Sequence, residues 1–174
     1  MPNRCADENR AYCPAAMPKA PTLSLKVGDP APDFTAPASG GQTISLKELK
    51  GKNVVLYFYP KDDTPGCTKE ACGFRDAHAG FGKKGAVVLG VSPDPVKAHD
   101  KFTAKFELPF PLLADTDHRI AEAYGVWGEK QFMGRKYQGV HRVTFLIGTE
   151  GRIQAIWTEV KPEAHAREVL AELG

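Results

Sequence analysis

No run of apolar residues in this chain is long enough to cross a bilayer. The longest apolar or aromatic stretch, Val54 to Tyr59, falls far short of the roughly 20 residues that a membrane helix needs. An excess of one charge is also missing: Lys and Arg total 23 against 21 Asp and Glu, a net charge of +2. That is too balanced for a nucleic-acid grip or a polybasic membrane patch. Cysteine is scarce. Cys5, Cys13, Cys67 and Cys72 are too few in 174 residues for the disulfide framework of a small secreted domain. Arg4, Asp7, Glu8 and Arg10 stand where a secretory leader would need an apolar stretch, and the two acids argue against a transit peptide. These absences point to a reducing, cytoplasmic compartment, with neither membrane nor nucleic acid as partner. In that compartment a cysteine pair is more often catalytic, redox-active or metal-binding than structural.

What is present is an ordinary globular balance, 42% hydrophobic and 25% charged, in a length that suits one domain. A chain of this size buries about 70% of its unfolded surface and needs no metal or disulfide staple to fold. The sequence divides near residue 25. Residues 1–24 contain Pro2, Pro14, Pro18 and Pro21 with few large apolar groups, so a flexible tail is expected, within which Met17 offers an alternative start. Residues 25–174 are expected to form the domain. In it, Asp33–Ala36 and Thr43–Leu46 around Gly40 and Gly41 read as a hairpin, and Val54–Tyr59 and Ala86–Val91 as strands covered on both faces. Between those strands, Cys67, Ala71, Phe74 and His78 share one face of a helix from about Pro65 to Phe81. A helix over Pro95–Phe106, a strand at Pro111–Ala114 and a short helix around Arg119–Tyr124 follow. A hairpin of Val143–Ile147 with Arg152–Trp157 and a final helix opened by Pro162 complete an α/β sandwich with a mixed central β-sheet flanked by helices.

The informative segment runs from Pro60 to Cys72. Thr64 has N-cap character and Pro65 first-turn character, which puts Cys67 in the first turn of the helix. Unpaired N–H groups and the positive end of the helix dipole favour thiolate over thiol there. Gly66, without a Cβ, would let a small substrate approach the sulfur. The competing reading is a buried core cysteine on the face shared with Ala71 and Phe74. Cys72 lies at i+5, where an intact helix holds the two Cα atoms about 8.6 Å apart, beyond the roughly 7 Å that a disulfide allows. The pair can bond only if this turn unwinds, which suits a switch and not a staple. A zinc site would need two further ligands, and Cys5, Cys13, His78 and His99 form no second half-site.

The stretch from Tyr57-Phe58-Tyr59-Pro60 to Cys72-Gly73-Phe74-Arg75-Asp76 resembles the active-site segment of peroxiredoxins. It is most similar to the Q-type, or bacterioferritin comigratory protein, subfamily, with its Pro-x-x-x-Thr-x-x-Cys motif and a second cysteine five residues on. The similarity continues through Val126-Trp127-Gly128-Glu129-Lys130 and from Gly139 to Ile147, and covers about residues 25–174. The resemblance implies a thioredoxin-like fold and thiol-dependent reduction of hydrogen peroxide and organic (alkyl) hydroperoxides. By position it makes Cys67 the peroxidatic cysteine and Cys72 the resolving cysteine, with Pro60, Thr64 and Arg142 completing the site. It further implies an intramolecular disulfide reduced by thioredoxin or a similar dithiol, and no metal, flavin or haem cofactor. The chain is expected to act as a monomer. Cys5 and Cys13 have no counterpart in that pattern.

The chemistry agrees with those roles. Arg142 would hold the peroxide and favour the thiolate, although on spacing alone it reads equally as a surface residue at a strand start. Thr64 would donate its hydroxyl to the peroxide or the sulfur, alongside or instead of N-capping, and Pro60 would shield the sulfur from water. His78, His99 and His141 are expected as packing or surface residues and not as a general base, and Trp127 and Phe132 as packing. Three other classes remain open, one of them a non-catalytic chaperone-like or interaction protein, which would leave added peroxide unconsumed. A thioredoxin-type thiol-disulfide oxidoreductase would need CxxC and a cis-proline where the chain has His141-Arg142-Val143-Thr144, and a zinc-stabilised binding module would need the missing ligands.

Overall fold

The run Val54–Tyr59 divides by parity, as side chains alternating across a pleat must. In the computed structural model, which describes residues 23–174, Val54, Leu56 and Phe58 enter one buried cluster, and Val55, Tyr57 and Tyr59 enter a second. A strand buried on both sides lies mid-sheet. The strands are β1 (Thr35–Ala38), β2 (Gln42–Ser45), β3 (Asn53–Phe58), β4 (Ala86–Ser92), β5 (Leu112–Ala114), β6 (Trp127–Phe132), β7 (Arg135–Val140), β8 (Val143–Ile147) and β9 (Ile153–Trp157). Seven of them form one sheet in the order β2-β1-β5-β4-β3-β8-β9. β3, β4 and β5 run parallel, while β8, β9 and β1 pair antiparallel with their neighbours. The mixed sheet expected from the sequence is therefore present.

Helices cover both faces. α1 (Pro65–Lys83), α2 (Val96–Phe106) and α4 (His165–Glu172) place Cys67, Ala71, Phe74, Phe81, Phe102, Phe106, Ala166 and Val169 in the second cluster. α3 (Arg119–Ala123) adds Ile120 and Ala121 to the first cluster, beside Phe34 and Tyr124. Leu23 and Leu25 already pack against that cluster. The tail expectation for residues 1–22, with Cys5 and Cys13, lies outside the described residues. Among those residues, no helix is long and apolar enough to cross a membrane.

Three local expectations need correction. The final helix begins at His165, not Pro162, because the Ala164 and His165 N–H groups both reach the Lys161 carbonyl in a preceding turn. β6 and β7 form a separate two-stranded arm that the sequence reading did not anticipate. The turn joining them holds Met133 at φ 48° and Gly134 at φ 78°, the left-handed pair that a tight hairpin needs. Its strands are largely polar and show no apolar alternation to reveal them. Phe132, expected to pack, is 57% exposed on this arm, whereas Trp127 stacks on His118 with ring centroids 3.7 Å apart.

His165 gives the fold a pH dependence. The fully buried ring meets Thr144 Oγ1 at 2.7 Å through Nε2 and packs edge-on against Phe74 and Trp157. Burial, with a smaller push from Arg142, lowers its pKa to about 4. The unfolded chain takes up this proton near pH 6.5, so between 6.5 and 4 the unfolded state binds more protons and stability falls as pH falls, levelling off below about 4. Urea unfolding should show a loss of roughly 2–4 kcal/mol over that window, and His165→Gln should lack this component. Parallel pH profiles for the two proteins would contradict the assignment.

Candidate active site

The site is assembled where β3 runs out. The Tyr59 N–H still reaches the Val91 carbonyl at 3.0 Å, and half-buried Pro60 then opens a loop in which Asp63 adopts φ 55°. Thr64, extended at φ −97° and ψ 153°, occupies the N-cap position with Pro65 at the first helical residue. Its carbonyl accepts the first helical bond from the Thr68 N–H at 2.8 Å. The expected side-chain cap is absent, because the Thr64 hydroxyl donates to the Lys61 carbonyl at 3.0 Å instead. The N–H groups of the first turn, including that of Cys67, thus remain without a side-chain cap and face whatever negative charge develops there.

Cys67 is 1% exposed and is a free thiol. Arg142 reaches it from the residue before β8, whose Val143 is registered against Phe58 of β3. One guanidinium nitrogen donates to Cys67 Sγ at 3.1 Å, and the other donates to the Glu70 carboxylate. Arg142 is therefore a half-buried bridge between two side chains and not an isolated surface residue. Gly66 also makes room for Arg142: a Cβ there would lie 3.3 Å from the guanidinium.

Glu70 is the residue that sequence reasoning missed. It sits one turn beyond Cys67 with a fully buried side chain, and its Oε1 has no hydrogen-bond partner. The available signal was a carboxylate on the buried face of an otherwise amphipathic helix, a placement that requires a partner. Burial pushes the Glu70 carboxyl up, and Arg142 offsets part of that push. For Arg142, burial pulls the other way, yet Glu70 and Cys67 together outweigh it and hold the guanidinium charged. A second cation stands behind the first. Lys130 of β6 donates to the Val140 carbonyl at 2.9 Å, and its pKa is lowered by burial and by Arg142, with Cys67 acting in the opposite direction. The polar arm thus brings a further positive group towards the sulfur.

Cys72 is buried in the same continuous helix. It is disulfide-bonded, but not to Cys67, whose thiol is free. His78 packs against the Phe110 ring, and His99 is buried against Asp62. Burial, with Lys130, lowers the pKa of His141. Among the described residues, no group of three or more His, Cys, Asp or Glu side chains is placed to hold a metal.

Over residues 27–156 the sequence matches the AhpC/TSA family. The chain belongs to that family. It is 55% identical over 151 residues to a putative peroxiredoxin Bcp of Coxiella burnetii, covering 87% of this chain and 100% of the relative. The peroxiredoxin Bcp of Bacillus subtilis is 48% identical, with 87% and 96% covered. The solved peroxiredoxin Q of Xanthomonas campestris matches with a TM-score of 0.79 at 42% identity, covering 87% of this chain and 96% of that one. The Q-type resemblance and the thioredoxin-like fold are both borne out.

The guanidinium of Arg142 faces the Cys67 sulfur, so with Cys67 in the peroxidatic role expected of it the loss of Arg142 should be felt mainly in rate. Arg142→Met should lower the second-order rate constant with hydrogen peroxide by ~10²–10³, the usual effect of removing one preorganised donor to developing oxyanion charge. Glu70→Leu, which leaves Arg142 in place but unanchored, should cost about tenfold or more, and Glu70→Gln, which keeps an acceptor, should cost less. Stopped-flow measurement of peroxide consumption orders the three, and equal rates for Glu70→Leu and the unmodified protein would remove Glu70 from the site.

Proposed function

We propose that this peroxiredoxin reduces hydrogen peroxide and organic hydroperoxides through Cys67, with Cys72 as its resolving thiol and a thioredoxin-like dithiol as electron donor. The observation that carries the reading is the Arg142 bridge, which joins the only free described thiol to a buried carboxylate. The Cys67 thiolate attacks one peroxide oxygen, the O–O bond breaks, and the other oxygen leaves as hydroxide or alkoxide and takes a proton. Two electrons pass from sulfur, which becomes a sulfenic acid. Guanidinium and first-turn N–H groups stabilise the charge on the departing oxygen. Since the Thr64 proton is directed to Lys61, the hydroxyl serves the peroxide as an acceptor for its O–H and not as a donor. Pro60 screens the loop from water.

Resolution needs Cys67 and Cys72 to meet. α1 is unbroken through both positions, so its first turns must unwind before the Cys72 thiol can condense with the sulfenic acid, forming the S–S bond and releasing water. The external dithiol then reduces that bond. It must also free Cys72 from the disulfide found here. Support for organic hydroperoxides comes from the bacterioferritin comigratory protein of Xanthomonas campestris, whose structure concerns alkyl peroxide reduction activity. We propose a monomer, because both faces of the sheet are covered by the chain itself, working in the cytoplasm, where a dithiol donor would be at hand to return both cysteines to thiols.

Cys67→Ser should abolish turnover, a serine hydroxyl not being ionised near neutral pH, and more than a few per cent of residual activity would sink the assignment. Cys72→Ser should consume one equivalent of peroxide per chain, stop at the sulfenic acid and over-oxidise readily. Normal thioredoxin-driven turnover by that variant would show that another thiol resolves Cys67.

A further inference from the structure

The loop that leads into α1 is anchored at Asp62 by groups that the peroxide chemistry does not use. Asp62 is 8% exposed. Its Oδ1 accepts from the Tyr59 hydroxyl at 2.6 Å, its Oδ2 faces Nδ1 of His99 at 2.6 Å, and its N–H donates to Asp94 Oδ2 at 2.8 Å. His99, on α2, is fully buried, and its Nε2 faces the Leu113 carbonyl of β5 at 2.9 Å. A carbonyl can only accept, so Nε2 carries a proton, and one further proton lies between Nδ1 and Oδ2. Both carboxylate oxygens and both ring nitrogens are therefore satisfied without water. The pair ties the loop to α2 and β5, neither of which has to move when α1 unwinds.

We propose that the Asp62–His99 pair is the clasp that keeps the segment from Pro60 to Cys67 folded, so that its strength sets how the Cys67 sulfenic acid divides between two fates. This rests on the roles proposed above for Cys67 and Cys72. While the clasp is closed, the sulfenic sulfur stays under Arg142. A second peroxide then transfers an oxygen to it, the O–O bond breaks, water or alcohol leaves, and a sulfinic acid forms. When the clasp opens, the sulfur reaches Cys72 and the S–S bond forms with release of water. Two other side chains tie the loop to its surroundings: Asp94 accepts from the Asp62 N–H, a backbone bond that Asp62→Ala leaves in place, and Lys105 pairs with Asp63, about half exposed on both sides, which holds little by comparison. Asp62 and His99 touch neither sulfur nor peroxide. They are positioning residues.

Two substitutions in the full, reduced chain test this. Asp62→Ala removes the clasp. Asp62→Asn preserves it, since the amide oxygen accepts from Tyr59 and the amide N–H donates to Nδ1 of a neutral His99 that still serves Leu113. Amide exchange across residues 61–68, the rate of Cys67–Cys72 bond formation after one equivalent of hydrogen peroxide, and the sulfinic fraction under excess peroxide are the readouts. Asp62→Ala should exchange and form the disulfide at least about tenfold faster, as expected for losing a buried charged hydrogen bond, with a sulfinic fraction lowered to match. Asp62→Asn should stay within about threefold of the unmodified protein on all three. The clasp is overturned if Asp62→Ala leaves exchange and partition unchanged, if it loses protection equally throughout the sheet, or if Asp62→Asn behaves like Asp62→Ala. Should Asp62→Ala fail to fold, Tyr59→Phe deletes only the bond to Oδ1 and should shift the readouts in the same direction by less; no shift would overturn the clasp. An unmodified protein that never forms the Cys67–Cys72 bond would refute the cysteine roles instead, and exchange alone would then decide the clasp.

Discussion

One half-buried guanidinium governs the arrangement of the site. Arg142 is held between the Glu70 carboxylate and the Cys67 sulfur, and removing it leaves the fully buried Glu70 carboxylate without its partner. Taking a carboxylate out of water costs several kcal/mol unless a partner compensates it, and Glu70, with an orphaned oxygen and a raised pKa, is only partly compensated. That imbalance is tolerable because the guanidinium is also satisfied by the sulfur, and most fully when the sulfur is negative. The same contact explains features far apart in sequence: the register that brings Val143 beside Phe58, the glycine at position 66, and a carboxylate on the inner face of α1.

A second constraint opposes the first. Peroxide chemistry needs Cys67 fixed under Arg142 in a nearly sealed site, whereas resolution needs it to leave. The sheet beneath α1 is buried on both faces and is a poor candidate for movement. The loop from Pro60 to Thr64 has three polar ties at Asp62, one half-exposed ion pair at Asp63 and no side-chain cap at Thr64. Opening is thus confined to one segment, and the buried ties at Asp62 are what it must break.

Features written in local order were legible in the sequence. The six-residue run of β3, the Thr-Pro start of α1 and the five-residue cysteine spacing each depend on neighbours in the chain, and each could be read from period and turn chemistry. Glu70 was not read, because its meaning depends on an arginine 72 positions away. The Asp62–His99 pair spans 37 positions, so in sequence His99 reads only as a packing or surface residue. The arm of β6 and β7 escaped because its strands are polar and its turn uses Met-Gly, and Phe132 was taken for a core residue although it projects from that arm. At Thr64 the backbone role was legible and the direction of the hydroxyl was not, since a cap and a bond to Lys61 leave the same trace in sequence.

The central claim is that the sulfur under Arg142 is the one that meets peroxide. Peptide mapping by mass spectrometry of the reduced, full-length protein after a single equivalent of hydrogen peroxide, with and without a sulfenic-acid trap, tests it most directly. The account predicts the trapped adduct on the peptide containing Cys67 and, without the trap, a cross-link between Cys67 and Cys72. An adduct on another cysteine, with Cys67 still a thiol, would contradict it.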